Sequence, residues 1–137
     1  MKLDPSTFVA DPELILALKK EAAAISCGED RILFRQGESS VGLFILNEGE
    51  VTLTMKSDLE ESVVCIDAIP GSLLGLPGLV GNQPYTLTAI AHTGAQLSFV
   101  TRESFTSLMQ RDPHMSLKVL QVLAAEVRSA RNAILQH

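Results

Sequence analysis

The feature that most constrains this chain is a run of short apolar segments between Arg31 and Thr101, most of them closed by glycine. Ile32-Leu33-Phe34 leads to Gly37, Val41 to Leu46 leads to Gly49, and Val51-Thr52-Leu53-Thr54-Met55 follows at once. Ser62 to Ile69 is closed by Pro70-Gly71, a strong turn pair. Tyr85 to His92 and Ala95 to Thr101 complete the set. Short β-branched and apolar pieces bounded by turn residues read as strands. Roughly seven or eight of them at this spacing predict a sandwich or barrel. Asn47-Glu48-Gly49-Glu50 reads as a hairpin turn, and Lys56 to Glu61 as a longer polar hairpin loop.

Helices bracket the strands. Asp11-Pro12-Glu13 is a helix start, with a cap, a proline at the first position and an acid in the first turn. Leu14, Leu18 and Ala22 then share one face, and the helix is expected to end before Gly28. Gly71, Gly75, Gly78 and Gly81 among leucines predict a loop and one short helix, with Pro77 in its first turn. Arg102 to Gln110 is amphipathic through Phe105, Leu108 and Met109. Asp112-Pro113 opens a long final helix through Gln136. The expected class is mainly β with flanking helices: a double-stranded β-helix or jelly-roll, a cupin-like β-roll, with a short N-terminal and a long C-terminal helix. Residues 1–137 are read as one domain, with a helical segment over 1–28, the β-roll over 29–101 and the C-terminal helices over 102–137.

Composition removes several functions. The 137 residues are 46% hydrophobic and 20% charged, enough apolar mass for one core without staples. A net charge of −5 disfavours a nucleic-acid surface, which needs clustered Lys and Arg. Cys27 and Cys65 fit no metal-ligand spacing and read as free, buried or half-buried thiols. His92, His114 and His137 lack the His-x-His spacing of a metal cupin, so no metal and no cofactor is expected. His92 reads as a surface or capping residue. No nucleophile elbow, Walker motif or metal motif is present, and Glu60-Glu61 reads as a solvated loop tip, so an enzyme is not expected. The N-terminus has no signal-peptide layout, and no apolar run approaches the roughly 20 residues that span a bilayer. A cytoplasmic protein without membrane contact is expected.

The glycine spacings carry a family likeness. Gly28-x-x-x-Ile32-Leu33-Phe34-x-x-Gly37 and Gly42-Leu43-Phe44-Ile45-Leu46-x-x-Gly49-x-Val51 resemble the first half of cyclic-nucleotide-binding domains, including the sensor halves of CRP/FNR-type regulators. The likeness continues through Pro70-Gly71-Ser72-Leu73-Leu74-Gly75, Asn82-x-Pro84, Ala91-x-Thr93 and the Phe105 helix. It implies that residues 71–86 are the phosphate-binding cassette, with Gly75, Leu76, Pro77, Gly78, Leu79, Tyr85 and Thr86 as its pocket. The family pattern places a ribose-binding Glu after the second cassette glycine and a phosphate-binding Arg after the cassette proline. Here those positions hold Leu76 and Tyr85, while Thr86 keeps the family's hydroxyl. A hydrogen bond to a charged group is worth roughly 1.5–3 kcal/mol. Two lost contacts amount to on the order of a hundred- to ten-thousand-fold in affinity. The resemblance thus implies a small-molecule effector that is a cyclic nucleotide only weakly, if at all. Three states of the pocket stay open: another, more apolar ligand; a pocket filled by Leu76 and Tyr85; or weak cyclic-nucleotide binding through backbone amides and Thr86.

The final helix carries Leu120, Leu123, Val127, Ala130 and Ile134 at heptad spacing. The matching helix of the family pairs two subunits, so a homodimer is expected; the other use of such a stripe is packing on the chain's own roll. The family's bacterial regulators continue into a helix-turn-helix domain, and these residues offer no recognition helix, so no DNA-binding domain is expected in this chain. The expected function is a regulatory sensor module of the CRP/FNR type in signal transduction or transcription regulation, with weakened or lost cAMP or cGMP binding. The alternative is a ligand-free structural or protein-interaction scaffold.

Overall fold

Burial on both sides or on one side sorts the strands into two sheets. Gly42–Glu48 (β3) reads Leu43-Phe44-Ile45-Leu46 without a polar break. Leu43 and Ile45 face a helical layer, while Phe44 and Leu46 face the interior of the roll. Val51–Lys56 (β4) instead alternates, with Val51 and Leu53 buried and Thr52 and Thr54 turned away. The pattern is that of a sheet covered on one face. The computed structural model describes residues 3–59 and 62–135.

The remaining strands are Ala23–Ser26 (β1), Arg31–Phe34 (β2), Ser62–Ala68 (β5), Leu73–Leu74 (β6), Thr88–Ala91 (β7) and Gln96–Thr101 (β8). One antiparallel sheet has the order β1-β8-β3-β6, the other β2-β7-β4-β5. Phe44 pairs with Phe99 in one sheet, and Leu53 with Ala89 and Ile66 in the other. Their facing sides enclose a core of Phe34, Phe44, Leu46, Leu53, Ile66, Leu74 and Leu97. This is the expected jelly-roll with a short N-terminal and a long C-terminal helix.

Helices α1 (Pro12–Lys19), α2 (Leu76–Gly81), α3 (Arg102–Arg111) and α4 (Pro113–Leu135) cover the outer face of the first sheet. Leu14, Leu18, Phe105, Leu108, Met115 and Val119 meet Leu43, Ile45, Leu73 and Val100 there. Burying a leucine fully contributes about 1.5–3 kcal/mol, so this second core is a major part of the fold's stability. Asp11 caps α1, its carboxylate accepting from the Glu13 N–H at 2.8 Å, as the Asp-Pro-Glu signal predicts. Asp11 and Glu13 also receive the Lys118 ammonium of α4 at 3.1 and 3.6 Å. That ammonium holds the Asp11 carboxyl below its ordinary value.

Three expectations are corrected. The first helix stops at Lys19, not before Gly28, because Ala23–Ser26 pairs in full register with β8. Pairing with an existing sheet edge outweighs the helix propensity of the alanines. Asn47–Glu50 is a turn but not a hairpin, since β3 and β4 lie in different sheets. Cys65 is exposed on the outer face of β5, whereas Cys27 is buried; both are free. The β4–β5 hairpin forms as expected, although Glu60 and Glu61 lie outside the described residues. No described helix is long and apolar enough to cross a membrane.

Candidate functional site

Within residues 71–86, the expected cassette, the chain leaves the first sheet after β6. Gly75 adopts φ 92°, and a Cβ there would sit 2.9 Å from the Tyr85 ring. Only glycine takes this conformation without strain, and only its bare Cα admits the ring. Leu76 then opens α2, with Pro77 in the first turn. At Gly78 a Cβ would meet the Gln83 and Pro84 carbonyl oxygens at 2.9 Å, so α2 packs directly on the segment that follows it. Asn82 closes the helix in the left-handed region, its N–H donating to the Gly78 carbonyl.

This geometry divides the residues singled out in the sequence. Gly75, Pro77, Gly78 and Thr86 line a cavity of about 40 Å³ inside the roll. Leu76 and Leu79 turn the other way, into the helical core, and Leu76 is 0% exposed. Tyr85 is 4% exposed and belongs to the core of the roll, beside the cavity but not among its lining residues. Its ring stacks on Phe34 with centroids 4.0 Å apart. Its hydroxyl donates to the Gly42 carbonyl at 2.9 Å and accepts from the Val41 N–H at 3.2 Å. Its main chain bonds to Glu38 and Gly37 at 2.9 and 2.8 Å. Every polar group of Tyr85 is therefore satisfied within the chain.

The rest of the lining comes from Phe8, Phe34, Leu53, Leu74, Leu87 and Glu126. Phe8 ends the 3-10 turn Pro5–Phe8, which packs against α4. Ligand pockets usually measure roughly 300–1,000 Å³, so this space holds at most a few waters. Glu126 is the polar exception in an apolar wall: its Oε1 is buried without a hydrogen-bond partner. Burial pushes its carboxyl up to about 7. Sequence reading passed over Glu126 because it sits beside the expected dimer seam. Its signal was present, however: Met115, Val119, Val122 and Glu126 recur at inward-facing heptad spacing, and only the last is polar.

The expected dimer residues separate as well. Leu120 and Val127 are exposed by 58% and 61%, and Leu117 beside them by 54%. Leu123 packs half-buried against the helical core, and Ala130 is half-buried. The Ile134 side chain and all of His137 lie outside the described residues. His92 joins a surface network in which its Nε2 lies 2.6 Å from Thr52 Oγ1, and Thr52 donates to Asp67 at 2.8 Å. Among the described residues no cluster of His, Cys, Asp and Glu could hold a metal.

The geometry finds its counterparts among known proteins. The model of the cyclic nucleotide-binding domain matches residues 25–112. Over 123 residues the chain is 25% identical to a CRP-like cAMP-activated global transcriptional regulator of Mycobacterium tuberculosis, covering 89% of this chain and 54% of that protein. The chain thus spans about half the length of that relative. The catabolite activator protein of Thermus thermophilus superposes with a TM-score of 0.78 at 23% identity, over 96% of this chain and 62% of that one. The sensor domain of the transcriptional regulator DNR from Pseudomonas aeruginosa gives a TM-score of 0.68 at 17% identity, over 89% of this chain and 82% of that one.

Proposed function

The chain belongs to the cyclic nucleotide-binding domain family, and from that premise we propose that it is a regulatory sensor module whose cassette has lost tight binding of cyclic phosphates. The family is one of binding domains, not of enzymes. The observation that carries the proposal is Tyr85. It stands where the family pattern has a phosphate-binding arginine, and its hydroxyl is spent on Gly42 and Val41. At this position the chain offers an anion no donor, because the ring is packed on Phe34 and the hydroxyl is already bonded. Leu76 supports the same reading, since its side chain lies on the far side of the cassette helix, in the helical core. The retained contacts are Thr86 and the backbone around Gly75 and Gly78.

In this reading residues 71–86 form the effector pocket and α4 is the output. The pocket lies against α4 through Glu126, so whatever changes the pocket changes the seat of that helix. A ligand that binds one seat better than the other shifts the population between them. The exposed Leu117, Leu120 and Val127 fit pairing with α4 of a second copy. The module would act in signal transduction or transcription regulation; the name of its mycobacterial relative makes that protein a transcriptional regulator.

A second reading, a ligand-free scaffold for protein contacts, is favoured by the 40 Å³ cavity, which is far too small for a nucleotide as it stands. A thermal-shift screen over cyclic mono- and dinucleotides, other nucleotides and small apolar metabolites separates the two. A concentration-dependent rise in melting temperature supports a sensor, by mass action on the native state. A flat response across the whole panel would move the assignment to the scaffold.

A further inference from the structure

We infer that the Glu126 carboxyl is a proton-operated latch between α4 and the cavity, docking the helix when neutral and loosening it when ionised. The inference rests on reading this cavity as the module's pocket, but it needs no ligand, so the two are tested separately. Its basis is geometric. The inward face of α4 runs Met115, Val119 and Val122, all buried, and its next position is Glu126. The carboxyl reaches a cavity walled by Phe8, Phe34, Leu53, Leu74 and Leu87, and Oε1 finds no partner. A hydrophobic side chain would fill this place without cost. A carboxylate there is half-buried, and with no partner for Oε1 its charged form carries a desolvation cost that a proton removes.

No cation faces it. The lining residues from the 3-10 turn, β2, β4, β6, α2 and the 86–87 segment include no other ionisable side chain. One turn away on α4 stand Val122, Leu123, Ser129 and Ala130, and Arg128 and Arg131 are exposed. On α4 itself Lys118 is held by Asp11 and Glu13; on the elements packed against α4, Arg111 is held by Glu21, Arg102 donates to the Leu79 and Ser40 carbonyls, and Asp4 accepts from Ser6. Among the described residues this leaves a proton as the counter-charge.

The direction follows from the two states of the helix. Docked, the carboxyl titrates near 7; released into water, it returns to its ordinary 4.5. Below the lower value both states are neutral and docking is at full strength. As pH rises between the two, the released state ionises first and docking weakens by about tenfold per pH unit. Above the upper value the loss is complete, at about 300-fold.

Carbon-13 NMR of the side-chain carboxyls tests this directly, with Glu126→Gln identifying the resonance. The expected midpoint is near 7 for Glu126, with amide exchange over 119–130 accelerating in wild type relative to Glu126→Gln from pH 5 to 7. Comparing the two proteins removes the intrinsic pH dependence of exchange. A Glu126 resonance that titrates with the exposed glutamates, or coincident exchange profiles, overturns the latch. If Glu126→Gln does not fold, Glu126→Met serves as the non-ionising variant in both measurements.

Discussion

Tyr85 is held on every side by the chain itself. The ring closes on Phe34, and the hydroxyl ties the start of β3 to the end of the 71–86 segment. Tyr85→Phe keeps the stack but leaves the buried Gly42 carbonyl without this donor, a loss of about 1–3 kcal/mol. Urea unfolding of the two proteins should show that difference; equal midpoints would mean the hydroxyl bonds to water instead. That Leu76 and Tyr85 depart from the family pattern was legible in the sequence. Where they point was not. A left-handed Gly75 followed at once by a six-residue helix sends Leu76 into one core, while Pro77 and Gly78 line the other side. Residue identity alone does not encode such a reversal.

Elements were legible where local signals were strong. Asp-Pro starts at Asp11 and Asp112, the Pro70-Gly71 turn and the Lys56–Glu61 hairpin were all visible. Ala23–Ser26 was not, because its strand character comes from β8 and not from its own residues. The switch of sheets at Gly49 was equally hidden, since a turn between strands looks the same whether or not they pair. Helix α4 combines both cases: its heptads were plain, but which stripe faces the roll depends on where α3 delivers it. Met115, Val119, Val122 and Glu126 face inward, leaving Leu117, Leu120 and Val127 outside. Sedimentation of wild type against Val127→Glu checks the pairing proposal. The dimer reading predicts a halved mass for the variant, with the roll still folded because the site is exposed. A monomeric wild type would contradict it.

At the scale of the whole molecule, the jelly-roll followed from glycine-spaced apolar segments, and the family match over residues 25–112 agrees with it. The size of the cavity did not follow. It is set by Phe8 and Glu126, which return to the roll from opposite ends of the chain, and no local pattern reports such long-range closure. Together with Leu76 and Tyr85, this closure supports the proposal of a family member with a weakened hold on cyclic nucleotides. The direct test is calorimetric titration of the protein with cAMP and with cGMP at neutral pH. The loss of two charged contacts predicts no saturation below about millimolar nucleotide. A Kd of about micromolar or tighter for either would show that the cassette still grips a cyclic phosphate, and would contradict the account.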